Sequence, residues 1–336
     1  MQKCQILMHS FLLFAMVNIV RVNAGPVPAL DLPKLTGESD IIIVGSIKRV
    51  WEEKRTTTEG QWGPVVTQFM AATMSIDRVI KGRAAVSDLT FKFLSISGKT
   101  YSQLNVNQYG MFFLRNAFNQ GYVVVDPYYP CVVAAPDSPG FDGDSLDNVS
   151  NEIAYVLTSP RTSNIERRQA ITMLSGVNTS SITNILRRTA ENPDPSLQIL
   201  ACTALLRRDD ITTLPLVESI LLHPIATYET NMRNALADAL EGVRNPESIA
   251  LLSNLVSKGD VRVRRGAAAA LSQMERNEVV APLKYALRDA DLQVRYYAII
   301  GLARITRQGE WGPMFTMYVK NEEKYLKHWM EWAEHN

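Results

Sequence analysis

Of the 336 residues only three are cysteine and four are histidine. That leaves little material for metal or redox chemistry and none for a disulfide framework. A charge excess is missing too: 35 Lys and Arg face 34 Asp and Glu, for a formal charge of +1, which excludes a strongly basic nucleic-acid binder. Past the N-terminal segment no apolar run is long enough to span a bilayer. What remains is an ordinary globular composition, 46% hydrophobic, and this excludes a disordered tail protein. At roughly 100 to 200 residues per domain the length suggests two domains, each with its own core.

Lys3 precedes an apolar run from Ile6 to Val20, and Val22-Asn23-Ala24 offers small residues before a cut. Residues 1–24 therefore read as a secretory signal peptide. The competing reading is an uncleaved anchor, but the apolar core is only about 15 residues, interrupted by His9, Ser10 and Asn18, where a spanning helix needs roughly 20. The expected mature protein is exported, periplasmic or secreted, with no transmembrane segment after cleavage. It keeps Cys131 and Cys202, and these two stand either as free thiols or as one bridge.

Two Pro- and Gly-rich stretches punctuate the mature chain, Gly25-Pro26-Val27-Pro28 and Pro136 to Asp144, and both read as linkers. Residues 25–36 are the first linker, 37–136 a β domain, and 137–160 the second linker with a first helix. Runs rich in β-branched residues cover Asp40 to Val50, Val65 to Ile80, Val86 to Ile96, Tyr109 to Phe118 and Gly121 to Asp126. They predict about five strands with one buried and one wet face, closed as a small antiparallel barrel that leaves no long edge. Asn119-Gln120-Gly121 and Lys81-Gly82 supply turns with positive φ at glycine. The polar stretch from Trp51 to Gly63 reads as a long mobile loop. Its end residues Trp51 and Trp62 either stack on a ligand or cap the barrel core. Ser39 to Ser46, Ile76 to Gly82 and Tyr109 to Leu114 together resemble exported domains of the OB or netrin type. Relatives that inhibit metalloproteases place a Cys at the mature N-terminus, and this chain starts near Gly25, so the resemblance does not carry inhibition by that route.

From residue 161 the sequence repeats. Leu174, Leu205, Leu240, Leu271 and Leu302 are spaced by 31, 35, 31 and 31 residues. Four residues before each stands Ala170, Ala201, Leu236, Ala267 or Ala298, and three before those Arg167, Gln198, Arg233, Arg264 or Arg295. Asp194, Glu229, Asp260 and Asp291 precede the helices, with Ser163 in the first unit, as N-caps would. A second amphipathic segment follows in each unit, with Pro215, Pro282 and Pro313 at first-turn positions. Each unit is a helical hairpin that must stack on its neighbours to bury both faces.

The pattern Asp-x-x-Val-Arg-x-x-Ala-x-x-x-Leu, intact from Asp260 to Leu271 and from Asp291 to Leu302, resembles HEAT repeats of the phycobilisome-lyase-like type. The resemblance implies a first helix on the convex side, a second on the concave side, and a ladder between repeats made by Asp260, Arg264, Asp291 and Arg295, broken at Gln198. It does not carry lyase activity, because most members have only the scaffold. The expected fold is thus multidomain α and β: a small OB/netrin-like barrel, then an α-solenoid of about five HEAT-like hairpins over 161–310, and a capping helix in 311–336.

Catalysis has little to work with. The mature chain holds only His223, His328 and His335, so no Ser/His/Asp or Cys/His arrangement stands out. His328, Glu331 and His335 share a helix face, but a terminal helix makes a poor metal cage. No cofactor motif and no phosphate loop is present. Over 161–310 there are 19 Lys and Arg against 16 Asp and Glu, too balanced for nucleic acid, so the paired arginines read as solvated faces. The expectation is an exported binding or scaffold protein that is not an enzyme and takes a protein or peptide partner. If the second helices are concave, the contact candidates are Arg262, Arg265, Tyr296, Ile300 and Arg304. The alternative is an inhibitor or small-ligand module working through the barrel and the Trp51–Gly63 loop.

Overall fold

A computed structural model describes residues 30–60, 63–96, 103–118, 121–223 and 229–336. The leader, Trp62 and the first two residues of the Asn119-Gln120-Gly121 turn lie outside the described residues. Leu32 to Asn336 form one compact unit.

Five strands form the N-terminal half: β1 (Ile41–Gly60), β2 (Gly63–Lys81), β3 (Asp88–Ile96), β4 (Tyr109–Ala117) and β5 (Gly121–Val124). They close in the order β1-β2-β3-β5-β4. The barrel is not wholly antiparallel as expected: β3 and β5 run parallel, with Phe91 opposite Tyr122. Parity is the reason, since an odd number of strands cannot alternate in direction all the way round a closed ring. Ile41, Ile43, Ile47, Met74, Phe91, Phe112 and Leu114 fill the interior. At Gly45 a Cβ would fall 1.9 Å from the Ser75 carbonyl oxygen, so only glycine permits the bulge between β1 and β2 there.

Ile42, Val44, Met111 and Phe113 are buried as well, so β1 and β4 lack a wet face where they pair, over residues 41–45 and 110–114. Cover comes from α1 (Leu32–Glu38) on β4, α2 (Ser145–Tyr155) on β2, and Val132, which pairs with Met111. The linker expected over 25–36 is thus helical from Leu32, with Leu32 and Leu35 buried and Lys81 Nζ donating to the Thr36 carbonyl at 2.8 Å.

The loop expected between Trp51 and Gly63 is instead a β-ribbon. Thr56, Thr57 and Thr58 stand opposite Thr67, Val66 and Val65, and the threonines that look like loop composition are β-branched residues suited to cross-strand pairing. Glu52 accepts from Arg55 at 3.0 and 2.7 Å and from Gln68 at 2.5 Å, which ties the ribbon together on its polar face.

The barrel meets the helices at Arg78. Its guanidinium donates to both carboxylate oxygens of Glu152 on α2, at 2.8 and 2.5 Å, to the Tyr109 hydroxyl at 3.0 Å and to the Ala135 carbonyl at 3.0 Å. Glu152 is 1% exposed, so this pair is shielded from water.

Helical hairpins follow: α3 (Asn164–Leu174) with α4 (Ser180–Ala190), α5 (Pro195–Leu206) with α6 (Leu214–Leu222), α7 (Thr230–Ala239) with α8 (Ile249–Lys258), α9 (Val261–Ser272) with α10 (Val280–Ala286), and α11 (Leu292–Ile305) with α12 (Phe315–Lys320). The carboxylates of Asp194, Asp260 and Asp291 each accept two backbone N–H groups at a helix start, and Ser163 forms a capping box with Glu166. Glu229 makes no such cap and pairs with Arg168 at 3.1 Å instead. First helices approach so closely that a Cβ on Gly266 would lie 2.2 Å from the Ala237 carbonyl oxygen.

The closing helix α13 (Glu322–His335) is the first helix of a sixth unit, which the sequence reading missed. Glu322 lies 31 residues after Asp291, as Asp291 lies 31 after Asp260. Tyr325, Trp329 and Ala333 take the places of Val294, Ala298 and Leu302 and are buried like them. The change from Ala to Trp at the central position hid the match. Leu326 stands where the repeat arginine would be, and the other face is charged.

Burial pushes the Tyr109 phenol up from 10.0 to about 12 and the Cys202 thiol up from 9.0 to about 11. Both are held protonated in the fold and ionise earlier once it opens. Their stabilising contribution is whole below about pH 9 and disappears as pH climbs through 11 and 12. Thermal melts across that range are expected to show a steadily falling midpoint, and a flat midpoint would contradict the burial of these groups.

Candidate interaction surface

The repeat arginines do two things at once. On one side each caps a carbonyl at the end of the preceding segment: Arg167 to Ser159 at 2.9 Å, Arg233 to Leu221 at 2.9 Å, Arg264 to Gly259 at 3.0 Å and Arg295 to Asp289 at 2.7 Å. Gln198 keeps this role, donating to the Ala190 carbonyl at 3.1 Å, so its loss of charge does not remove the cap. On the other side three of the four reach acids of the next unit, Arg233 to Asp260 at 2.6 Å, Arg264 to Asp289 at 2.7 and 3.0 Å, and Arg295 to Glu322 at 2.7 Å, while Arg167 meets the Asn164 side chain at 3.4 Å.

Asp260, Arg264, Asp291 and Arg295 therefore do not pair among themselves. Arg264 takes Asp289, two residues before the cap, while Asp291 caps α11 and accepts from Arg265 at 2.8 and 2.5 Å. Arg265, together with the capped N–H groups, holds the Asp291 carboxyl below its ordinary range.

The other contact candidates lie on α9 and α11. Arg262 donates to Asp238 at 2.7 and 2.5 Å, and Arg304 to the Ser272 carbonyl at 2.6 Å. With Arg265 on Asp291, all three arginines are already bonded inside the repeat array. Tyr296 joins an aromatic group with Phe315 at 5.0 Å and Tyr318 at 5.4 Å between centroids, and Ile300 one turn later is half-buried. Trp51 stands half-buried on β1 with the Arg49 guanidinium 5.0 Å from its ring.

Composition alone did not single out the most exposed apolar segment. Met314 is 72% exposed, and Phe315, Met317, Val319 and, on the neighbouring α10, Tyr285 are exposed too. Only Tyr318 of α12 is buried. The signal was available: Met314 to Val319 is apolar at five of six positions in a segment that ends too soon to turn every apolar side chain inward.

The histidines do not converge. The His328 ring is stacked on Trp311 at 3.8 Å, with Nε2 3.1 Å from Gln308 Oε1, and His335 Nδ1 lies 2.7 Å from the Glu331 carbonyl. His223 is exposed at the end of α6. Among the described residues no three His, Cys, Asp or Glu side chains come together to hold a metal, Cys131 and Cys202 are free thiols, and no helix is long and apolar enough to cross a membrane.

The family profile for HEAT repeats matches residues 225–303, so that stretch carries HEAT repeats within a HEAT-like helical region. No curated protein matches the chain. Among solved structures, Escherichia coli YibA is similar at 20% identity over 50% of this chain and 70% of its own, with a TM-score of 0.33. Human deoxyhypusine hydroxylase is similar at 16% identity over 56% of this chain and 75% of its own, with a TM-score of 0.25. Neither likeness transfers an activity. The expectation that the chain is not an enzyme is not upheld, since one of these two similar structures is a hydroxylase by name.

Proposed function

We propose that the chain is an exported scaffold that holds a protein or peptide partner on its HEAT-repeat surface. The observation that carries this reading is the apolar run Met314, Phe315, Met317 and Val319, exposed at the end of the second-helix row. A soluble chain rarely leaves such residues together in water without a use for them. The leader-like residues 1–24 support export to the periplasm or the medium. The arginines chosen from sequence are bound to acids or carbonyls of the array, so the reading shifts from Arg262, Arg265 and Arg304 toward Tyr296 and α12.

Phe315→Ser combined with Met317→Ser tests it. Met317 is exposed and Phe315 partly so, and Phe315 meets Tyr296 edge-on, so stability is expected to fall by no more than about 2 kcal/mol. Capture of the native partner by the immobilised full chain is expected to be lost. Capture equal to that of the unchanged protein would overturn the reading.

A further inference from the structure

The second helices of successive units run in one direction, so their C-terminal ends fall along one edge of the helical layer. These ends carry cations in every second helix but α6, whose last turn has none. Arg188 closes α4, Lys258 closes α8, Lys284 and Arg288 stand at the end of α10, and Lys320 closes α12. Among the described residues none of the five has a carboxylate partner. The acids that head the following helices are engaged elsewhere: Asp260 by Arg233, Asp289 by Arg264, Asp291 by Arg265 and Glu322 by Arg295. The arginine ladder thus neutralises these four acids, and with only Glu191 and Glu323 left exposed beside the five cations the outward charge of the edge stays positive.

Spacing adds a second constraint. Packed helices lie about 8–10 Å apart, and an extended chain advances about 3.3 Å per residue. From α8 to α12 a peptide lying along the edge meets one cation at about every third residue. At the C-terminal end of the row the surface turns apolar, at Tyr285, Phe315 and Met317.

We propose that this edge binds an extended acidic peptide segment, its carboxylates against Arg188, Lys258, Lys284, Arg288 and Lys320 and an aromatic anchor against Phe315 and Met317. The inference rests on the scaffold reading and gives its partner a chemistry. A nucleic acid fits less well. The apolar end at Tyr285, Phe315 and Met317 has no counterpart in a phosphate backbone.

The test uses the full chain and fluorescent synthetic probes: a peptide with an acid at every third position and a terminal Phe-Trp pair, the same peptide with the acids changed to amides, the same peptide with the aromatics changed to Ser, and a single-stranded oligonucleotide of equal charge. The acidic aromatic peptide is expected to bind in a salt-sensitive manner. Reversing Lys258→Glu, Lys284→Glu and Arg288→Glu together should weaken it by about tenfold or more, with the circular dichroism spectrum unchanged. Equal binding of the amide peptide, equal binding of the peptide without aromatics, tighter binding of the oligonucleotide, or no binding of any probe would each overturn the inference. The scaffold reading stands or falls separately, because capture of the native partner that survives the charge reversal but not the Phe315 and Met317 changes removes only the acidic-peptide assignment.

Discussion

Replacing Glu152 by alanine is expected to cost about 3–5 kcal/mol of folding free energy. The reason is the company Arg78 keeps. Its guanidinium is mostly covered, with 18% of the side chain exposed against 1% for Glu152, and it gives two of its hydrogen bonds to that carboxylate. Without Glu152 the charge stays buried with only the Tyr109 hydroxyl and the Ala135 carbonyl to receive it. The attraction within the intact pair is largely offset by the desolvation of both ions, whereas a lone buried ion has no such offset. A double variant, Arg78→Leu with Glu152→Leu, should therefore recover much of the loss. Urea unfolding followed by circular dichroism measures both. A loss below about 1 kcal/mol for the single change would mean the pair is wet, and the barrel would then not be locked to the helices through it.

Trp329→Ala is expected to cost a similar amount, about 3–5 kcal/mol. Trp329 is fully buried, its indole N–H donates to the Trp311 carbonyl at 3.0 Å, and its ring meets His328 and Trp332 edge-on at 5.1 and 5.5 Å. It fills the position that Ala298 fills one unit earlier, so its removal opens a cavity where α13 packs on α11. Trp329→Phe keeps most of that volume and loses the hydrogen bond, for a smaller cost of about 1 kcal/mol or somewhat more. Equal losses for the two variants would show that the hydrogen bond, not the packing of a sixth unit, secures the C-terminal end.

Much of this architecture is legible along the chain. The 31-residue spacing of Asp260, Asp291 and their leucines is a local pattern, because a capped helix with a stripe of small and large apolar residues specifies its own start, length and buried face. The five strands announce themselves in the same way, through β-branched runs that need no knowledge of their partners. Pairing is less legible. Arg264 lies as plausibly near Asp291 as near Asp289 in sequence, and only the backbone course between α10 and α11 brings Asp289 to it. The Thr-rich ribbon reads as a loop until Val65 and Val66 are set opposite it.

Sequence by itself determined the units: where each helix starts, which side chains its stripe contains, and that no single hairpin is stable alone. Tertiary structure decided what those units leave over. It closed the barrel with one parallel pair because five strands cannot alternate around a ring, and it drew the arginines of α9 and α11 inward to acids and carbonyls. It left Phe315, Met317 and a row of unpaired cations facing water. Periodicity is a property of neighbours along the chain, whereas exposure and charge pairing depend on residues tens of positions away, and the fold alone brings those together.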